Sequence, residues 1–371
     1  MASKLLVLSG AEVGAIIEKH LPINSVLENQ ASVFKALHAR LEEIDNPLRT
    51  AVRAPNHTGL FMPSRLGPHT TCKVVCVPNA ESKQRGLPAS TMLLDGESGR
   101  TRAFINAAKL TALRTAAGSM LTTRALEALR RDGGKGLSHI VLFGAGQQAV
   151  FHALLLVQIT RQQSDAEMHL NFVVRKREED LQQDIRNNLD WLRHQVKDLH
   201  VAITVLQTSG ESQVEAAVRQ AKVLVSAVPS TAPLFPSSWV ASGTHVILIG
   251  SYKPHMQEVE TSLIHRAKGA LIVDDADACA HEAGDLIKAN VDAKDCISLG
   301  ALLSHSTFSD TSKPPSRDAA LKALQELGGS SRDHDISLFK SVGVGLQDVA
   351  ITSLVVETAE TMAGIGTRLD F

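Results

Sequence analysis

Aromatic side chains are scarce here: they make up 4 % of the 371 residues, and Tyr252 is the single tyrosine. Stacking platforms for unpaired bases are therefore not expected. Cysteine is scarce too. Cys72, Cys76, Cys279 and Cys296 are too few and too scattered for a disulfide framework. Cys72 and Cys76 lie four apart, but no second Cys/His pair at zinc spacing accompanies them. Reduced thiols are expected, and no metal site. Charge of one sign is also lacking. The 38 Lys and Arg against 39 Asp and Glu leave a formal net charge of −1, without bulk attraction to nucleic acid or a membrane surface. No uncharged run approaches the roughly 20 residues of a membrane helix. The opening MASKLLVLSG has a short apolar run without a cleavage region, soon interrupted by Glu12. It reads as a first strand rather than a targeting segment. A soluble, cytoplasmic protein is expected.

What is present is enough for two domains. Hydrophobic residues make up 44 % of the chain and charged residues 21 %, ordinary values for a globular core, and the length suits two domains of roughly 150 residues or more. Residues 1 to about 45 read as a strand and two helices, the first capped by Ser9. From Pro47 to Leu94 short β-rich runs alternate with turns. A helical stretch from Ala107 to about Arg131 ends at the linker Asp132-Gly133-Gly134. Strand and helix then alternate, with a charged helix expected from Glu178 to about Lys197. Apolar runs of four to six residues between helices suit a parallel sheet covered on both faces. Residues 304–317 read as an exposed loop. The segment ISLFKSV is a strand, and the long helix after it is expected to pack back on the first domain.

Gly144-Ala145-Gly146-Gln147-Gln148-Ala149 is a G-x-G-x-x-A turn between an apolar strand and a helix, the context that gives this pattern meaning. The first glycine makes the turn, the second lets backbone approach a pyrophosphate, and the helix N-terminus receives the phosphates. A Rossmann-type, doubly wound parallel sheet binding NAD(P) is expected. At the end of its second strand an NAD-binding chain usually carries an acid for the ribose 2′-hydroxyl. Here the sequence is Val174-Arg175-Lys176-Arg177, and three cations suit a 2′-phosphate. NADPH is the expected cofactor, with NADH or NAD as alternatives.

Several segments together resemble the ornithine cyclodeaminase/mu-crystallin family over nearly the whole chain. They are Pro47-Leu-Arg49-Thr50, Cys72-Lys73-Val-Val, Leu110-Thr-Ala-Leu-Arg114-Thr-Ala-Ala117, the glycine turn with His152, Ala227-Val-Pro-Ser-Thr231 before Gly243-Thr-His245, Glu282-Ala-Gly-Asp285-Leu and Leu338-Phe-Lys-Ser-Val-Gly343. The resemblance implies a homodimer. Residues 1–125 and 333–371 would form an α+β substrate-binding and dimerisation domain, and residues 126–332 the nucleotide domain. Arg49 and Arg114 look like the family's carboxylate-binding arginines, and arginine grips a carboxylate bidentately. Lys73 looks like its active-site lysine, and crowding by two guanidiniums is expected to depress its pKa. Cofactor contacts are expected at Thr115, Gly144, Ala145, Gly146, Gln147, Gln148, Arg175, Lys176, Ala227, Val228, Ser230 and Gly250. Ser230 and Thr231 read equally well as a turn and helix cap. His69, His152 and His245 are given no chemical role, and Asp274 and Asp275 read as ordinary strand-end acids.

One departure decides the chemistry. Ornithine cyclodeaminases carry a catalytic acid where this chain reads Ile249-Gly250-Ser251-Tyr252-Lys253-Pro254. Tyrosine, with a pKa of about 10, is no anion at neutral pH. Mu-crystallin-like members also lack the acid and resemble reductases of cyclic ketimines. The expected activity is therefore NAD(P)H-dependent reduction of a ketimine such as pyrroline- or piperideine-2-carboxylate. The alternatives are ornithine cyclodeamination to proline and ammonia, an alanine-dehydrogenase-like or opine-type activity, and a non-enzymatic nucleotide-binding role. Replacing Arg175 with Asp is expected to weaken NADPH binding far more than NADH binding when each cofactor is titrated. Equal losses would show that the basic cluster does not select the cofactor.

Overall fold

The computed structural model describes residues 4–79, 86–129, 137–162, 164–310, 315–329 and 335–370. The chain forms two compact units, residues 1–115 with 343–371 and residues 116–342.

In the first unit the strand Leu5–Leu8 leads into the helix Gly10–His20. A reciprocal cap fixes the helix start: Glu12 N donates to Ser9 Oγ, and Ser9 N donates to Glu12 Oε2 at 2.8 Å. Gly366 N donates to Glu12 Oε1 at 3.0 Å, which joins the two chain ends. Among the described residues the sheet has eight strands. Its order is Thr367–Leu369, Leu5–Leu8, Thr101–Asn106, Ala89–Leu94, His69–Pro78, His57–Leu66, Ile44–Asp45, with Thr50–Arg53 also paired to His57–Leu66. Alternation along His69–Pro78 buries Thr71, Lys73 and Val75 on one face. The helix Gly345–Glu360 packs over that inner face, against His57–Leu66, His69–Pro78 and Ala89–Leu94. The outer face presents Val52, Phe61 and Phe104, each at least 37 % exposed.

The second unit is the expected doubly wound sheet. Its eight described strands are parallel throughout, in the order Val201–Gln207, Met168–Val174, His139–Phe143, Val223–Ser226, His245–Leu248, Ser337–Lys340, Leu271–Val273, Ile297–Ser298. Strand order reverses between His139–Phe143 and Val223–Ser226. Ligands of such sheets bind outside the strands' carboxyl ends at that switch point.

Several local expectations differ from the structure. The helix from residue 107 runs Ala108–Ala125 and gives way to one 3₁₀ turn, Glu127–Leu129. The linker Asp132-Gly133-Gly134 lies outside the described residues. The charged helix begins late, as Gln183–Gln195, because buried Leu181 takes an extended conformation after the short turn Glu178–Asp180. The loop expected to be exposed holds Phe308 at 2 % exposure, with its ring 6.2 Å from that of His305. The units divide at 115/116 and 342/343, against the expected 125/126 and 332/333. The second difference has a plain cause: Ser337–Lys340 is hydrogen-bonded between His245–Leu248 and Leu271–Val273, so it belongs to the nucleotide-type sheet.

Lys340, the last residue of that inserted strand, carries a buried charge network. Its Nζ donates to Leu248 O at 3.3 Å and lies 3.6 Å from Glu258 Oε2 and 3.9 Å from Asp285 Oδ2, all three side chains being fully buried. Ser251 N donates to Glu258 at 2.8 Å, and Ser226 Oγ donates to its other oxygen. Asp285 Oδ1 accepts from Glu258 N and Val259 N, so the acid of the Glu282-Ala-Gly-Asp285 segment ties a loop. One cation faces two carboxylates. Burial pushes Glu258 up to about 7, with Lys340 opposing and Asp285 adding to the rise. A raised carboxyl stabilises the fold fully below its ordinary value of 4.5 and loses that contribution as pH climbs through about 7. Glu258→Gln is therefore expected to remove part of the decline in melting temperature between pH 5 and pH 8. Identical pH slopes in variant and parent would refute the assignment.

Candidate functional site

The inner face of the first unit's sheet gathers the three cations read from the sequence. Lys73 enters from the strand His69–Pro78 and is 1 % exposed. Arg114 comes from the helix beginning at Ala108 and is 5 % exposed. Arg49, half-buried just before the strand Thr50–Arg53, donates from Nη2 to Gly343 O at 3.0 Å. Gly343 adopts φ +81°, and a Cβ built on it would lie 2.6 Å from Arg114 Nη1. A side chain there would displace the guanidinium, which explains the glycine of Phe339-Lys-Ser-Val-Gly343.

Two further groups escaped the sequence reading. Asp348, at the start of the helix Gly345–Glu360, sets Oδ2 2.6 Å from Lys73 Nζ and accepts from Arg114 Nε at 3.2 Å through Oδ1. Gln347 Oε1 accepts from Arg114 Nη1 at 3.0 Å, while its Nε2 donates to Arg114 O at 3.0 Å and to Gln30 Oε1 at 3.2 Å. Their only local signal was position, a polar pair within the first turn of an apolar helix following a glycine bend. The hydroxyls of Thr71, Thr91 and Thr352 are also buried on this side without a hydrogen-bond partner among the described residues. Thr91 is the cross-strand neighbour of Lys73.

Lys73 is depressed to about 8, as expected in direction, but the main cause is different. Burial dominates, Asp348 pushes back, and the Arg114 and Arg49 guanidiniums add to the depression. An ammonium stripped of water gives up its proton more readily.

The nucleotide-type turn lies in the second unit, at the switch point. Gly144 has φ +97°, which favours glycine, and its N donates to Val173 O at 2.9 Å. A Cβ on Gly144 would touch Val228 Cγ2 at 3.0 Å, and Ala227 N donates to Phe143 O at 3.2 Å. This packs Gly144, Ala227 and Val228 together. Ala145 is buried. Gly146 is the N-cap of the helix Gln147–Arg161 and gives it no side-chain cap. A Cβ on Gly146 would meet nothing within 4 Å. Open space over an uncapped helix start suits a phosphate group. Gln147 and Gln148 form the helix's first turn. Arg175 and Lys176 are exposed just past the end of Met168–Val174. A cavity of about 390 Å³ reaches the ends of the strands His139–Phe143 and Met168–Val174, lined by Phe143, Val173, Thr208, Leu234 and Trp239 among others.

The remaining candidates divide. Thr115 is buried and donates its hydroxyl to Thr111 O at 2.8 Å in its own helix. Ser230 closes a turn, with Oγ donating to Ala232 O at 2.6 Å. Gly250 allows close packing, since its Cβ would fall 2.1 Å from Val228 O. Tyr252 is half-buried against the apolar core, with Lys253 Nζ 5.7 Å from its ring. His152 is fully buried and held neutral, with burial lowering it to about 4. Its ring sits 2.7 Å from Gln148 O and 2.9 Å from Ser119 Oγ. His245 pairs with Ser337 Oγ at 2.8 Å, and His69 lies 3.6 Å from Glu357. Asp274 accepts from Ser341 Oγ at 2.7 Å and Val342 N at 3.0 Å, and Asp275 caps the helix Ala276–Glu282. Among the described residues no group of three or more His, Cys, Asp or Glu is placed to hold a metal ion. No described helix is long and apolar enough to cross a membrane.

Residues 15–363 match the ornithine cyclodeaminase/mu-crystallin family. A Delta(1)-pyrroline-2-carboxylate reductase of Paracoccus denitrificans is 30 % identical over 285 residues, which is 76 % of each chain. A protein of the same description from Bacillus cereus is 26 % identical over 387 aligned positions, covering 99 % of this chain and 100 % of the relative. Among solved structures, the Thermococcus litoralis Delta(1)-pyrroline-2-carboxylate reductase in complex with NADH and L-proline shares the fold. Its TM-score is 0.72 at 24 % identity, over 98 % of this chain and 99 % of that one. With the family match spanning both units, this chain belongs to the ornithine cyclodeaminase/mu-crystallin family.

Proposed function

We propose that this protein reduces the C=N bond of a small cyclic ketimino acid, of the pyrroline- or piperideine-2-carboxylate type, using a reduced nicotinamide dinucleotide. The observation that carries this reading is the cluster of Arg49, Lys73 and Arg114, in which Lys73 and Arg114 share the carboxylate of Asp348 and Arg49 acts on the charge of Lys73. Asp348 and Gln347 hold Arg114 through Nε and Nη1, and its Nη2 edge, with Arg49 close by, is a place for the carboxylate of an imino acid. Arg49 and Arg114 bind it, and arginine suits that task because it stays charged. Lys73 supplies the proton that the imine nitrogen takes up on reduction, and a group near pH 8 is matched to such a transfer. The pyrroline-2-carboxylate reductases among its relatives favour the same substrate class.

When bound, the dinucleotide supplies hydride to the imine carbon. Gly144, Ala145, Gly146 and the first turn at Gln147 and Gln148 would hold its pyrophosphate, with Ala227, Val228 and Ser230 nearby. The cavity at Phe143, Val173 and Leu234 would hold its flat base, and Arg175 with Lys176 favours NADPH over NADH. Ornithine cyclodeamination is disfavoured because the half-buried phenol of Tyr252 offers no carboxylate. On this reading residues of the first unit bind substrate and those of the second bind nucleotide. Four free thiols suit a reducing compartment such as the cytoplasm.

The outer sheet face of the first unit fits a homodimer. Paired strands align Phe61 with Val74 and Met92 with Phe104 on that face, an apolar surface that a second copy would cover.

With NADPH and piperideine-2-carboxylate, cofactor absorbance is expected to fall, and Arg49→Ala is expected to raise KM by about 10- to 100-fold through loss of a charge-assisted hydrogen bond. No oxidation with any cyclic ketimine would rule out the reductase, and proline formed from ornithine with NAD would favour the cyclodeaminase instead. Phe61→Asp with Phe104→Asp is expected to turn a dimer into a monomer in light scattering. A mass unchanged by the substitutions would show that this face is not the dimer surface.

A further inference from the structure

We infer that Asp348 is a positioning residue that keeps Lys73 an ammonium and aims the guanidinium of Arg114, so that one carboxylate governs both cations of the site. The geometry divides its two oxygens between the two tasks. Oδ2 lies 2.6 Å from Lys73 Nζ, and Oδ1 accepts from Arg114 Nε at 3.2 Å, with every side chain involved no more than 6 % exposed. Gln347 grips the neighbouring edge of the guanidinium through Nη1 at 3.0 Å. Adjacent residues of one helix start thus fix Arg114 along Nε and Nη1, and these contacts do not use Nη2.

The charges facing Lys73 can be taken element by element. The strand His57–Leu66 places Met62 opposite it, and the strand Ala89–Leu94 places Thr91 opposite it, both uncharged. The helix from Ala108 brings Arg114, and Arg49 precedes Thr50–Arg53. Both favour the neutral amine, as does burial. The helix Gly345–Glu360 brings Asp348, which alone among these favours the ammonium. Without the carboxylate, nothing in this group would hold a proton on Lys73 at neutral pH.

This inference rests on the reductase reading for its use. Reduction of the imine leaves the ring nitrogen one proton short. An N–H bond of the Lys73 ammonium breaks, a ring N–H bond forms, Lys73 is left as an amine, and water returns its proton. A lysine already neutral could not take part. The substrate's carboxylate is left to Arg49 and Arg114, because Asp348 already occupies Lys73.

The test needs neither substrate nor cofactor. Protein labelled with ¹³C at the lysine ε-carbons is titrated, and the Lys73 resonance is identified by its loss in Lys73→Arg. The parent midpoint is expected near 8. Asp348→Asn is expected to make the Lys73 ammonium at least tenfold more acidic, and Asp348→Glu to restore most of the difference. A Lys73 midpoint unchanged in Asp348→Asn would overturn the inference. If Asp348→Asn does not fold, the double variant Lys73→Met with Asp348→Asn leaves Arg114 as the one charge of the trio, still held by Gln347, and is expected to fold, because the unpaired Lys73 ammonium is the cause. Failure of the double variant as well would assign Asp348 a purely structural role and overturn the inference. In activity, Asp348→Asn is expected to move the alkaline fall of kcat/KM to lower pH. If the parent reduces no ketimine, the reductase reading fails while the Lys73 titration still decides the role of Asp348.

Discussion

The contact of Asp348 with Lys73 and Arg114 is the constraint around which the first unit is arranged. A lysine on the inner face of a sheet is unfavourable without an anion, and the anion must come from whatever covers that face. The helix Gly345–Glu360 covers it and carries the carboxylate in its first turn. Its register is thereby fixed. So are the bend before it, where Gly343 leaves room for Arg114, and the choice of Gln347, whose amide joins Arg114 to Gln30. Breaking a buried pair on one side costs about 3–5 kcal/mol, so these choices are held together.

The two units resolve buried charge in opposite ways. The first encloses Lys73 and Arg114 against Asp348, and arginine does not shed its proton in a protein. Its surplus around Asp348 is positive, two cations on one carboxylate, and Lys73 gives up its proton the more readily. The second encloses Glu258 and Asp285 against Lys340. That surplus is negative, and a carboxyl can settle it by keeping a proton, as the raised value of Glu258 indicates. A buried ammonium made more acidic is ready to pass a proton on, and a buried carboxyl made less acidic keeps one as a structural pin.

The sequence made much of this legible because its strongest signals are local. The glycine turn sits between a strand and a helix within a dozen residues, and the structure forms it at the switch point with Gly144 at positive φ. Arg49, Lys73 and Arg114 were found through family-like segments, and both guanidiniums lie near enough to Lys73 to act on its charge. Asp348 was not found, since it lies 234 residues beyond Arg114 and no spacing rule reaches so far. For the same reason the cause of the Lys73 depression was misjudged: crowding by guanidiniums can be imagined from a list of residues, but the depth of burial cannot. Phe308 shows the limit on the loop side, because composition reads a Ser- and Pro-rich stretch as exposed while one ring in it finds the core.

The strand Ser337–Lys340 lies between two strands that precede it in sequence, His245–Leu248 and Leu271–Val273. During synthesis, both of those strands emerge well before the one that joins them. Until residue 340 is available each presents an open edge, and open edges invite pairing with other chains. The same late strand brings Lys340, which answers the charge of Glu258 and Asp285. The nucleotide-type sheet is therefore completed, and its buried acids gain their cation, in one step once residue 340 has emerged. A chain that stops short of that strand keeps the glycine turn but leaves its sheet in two unjoined pieces.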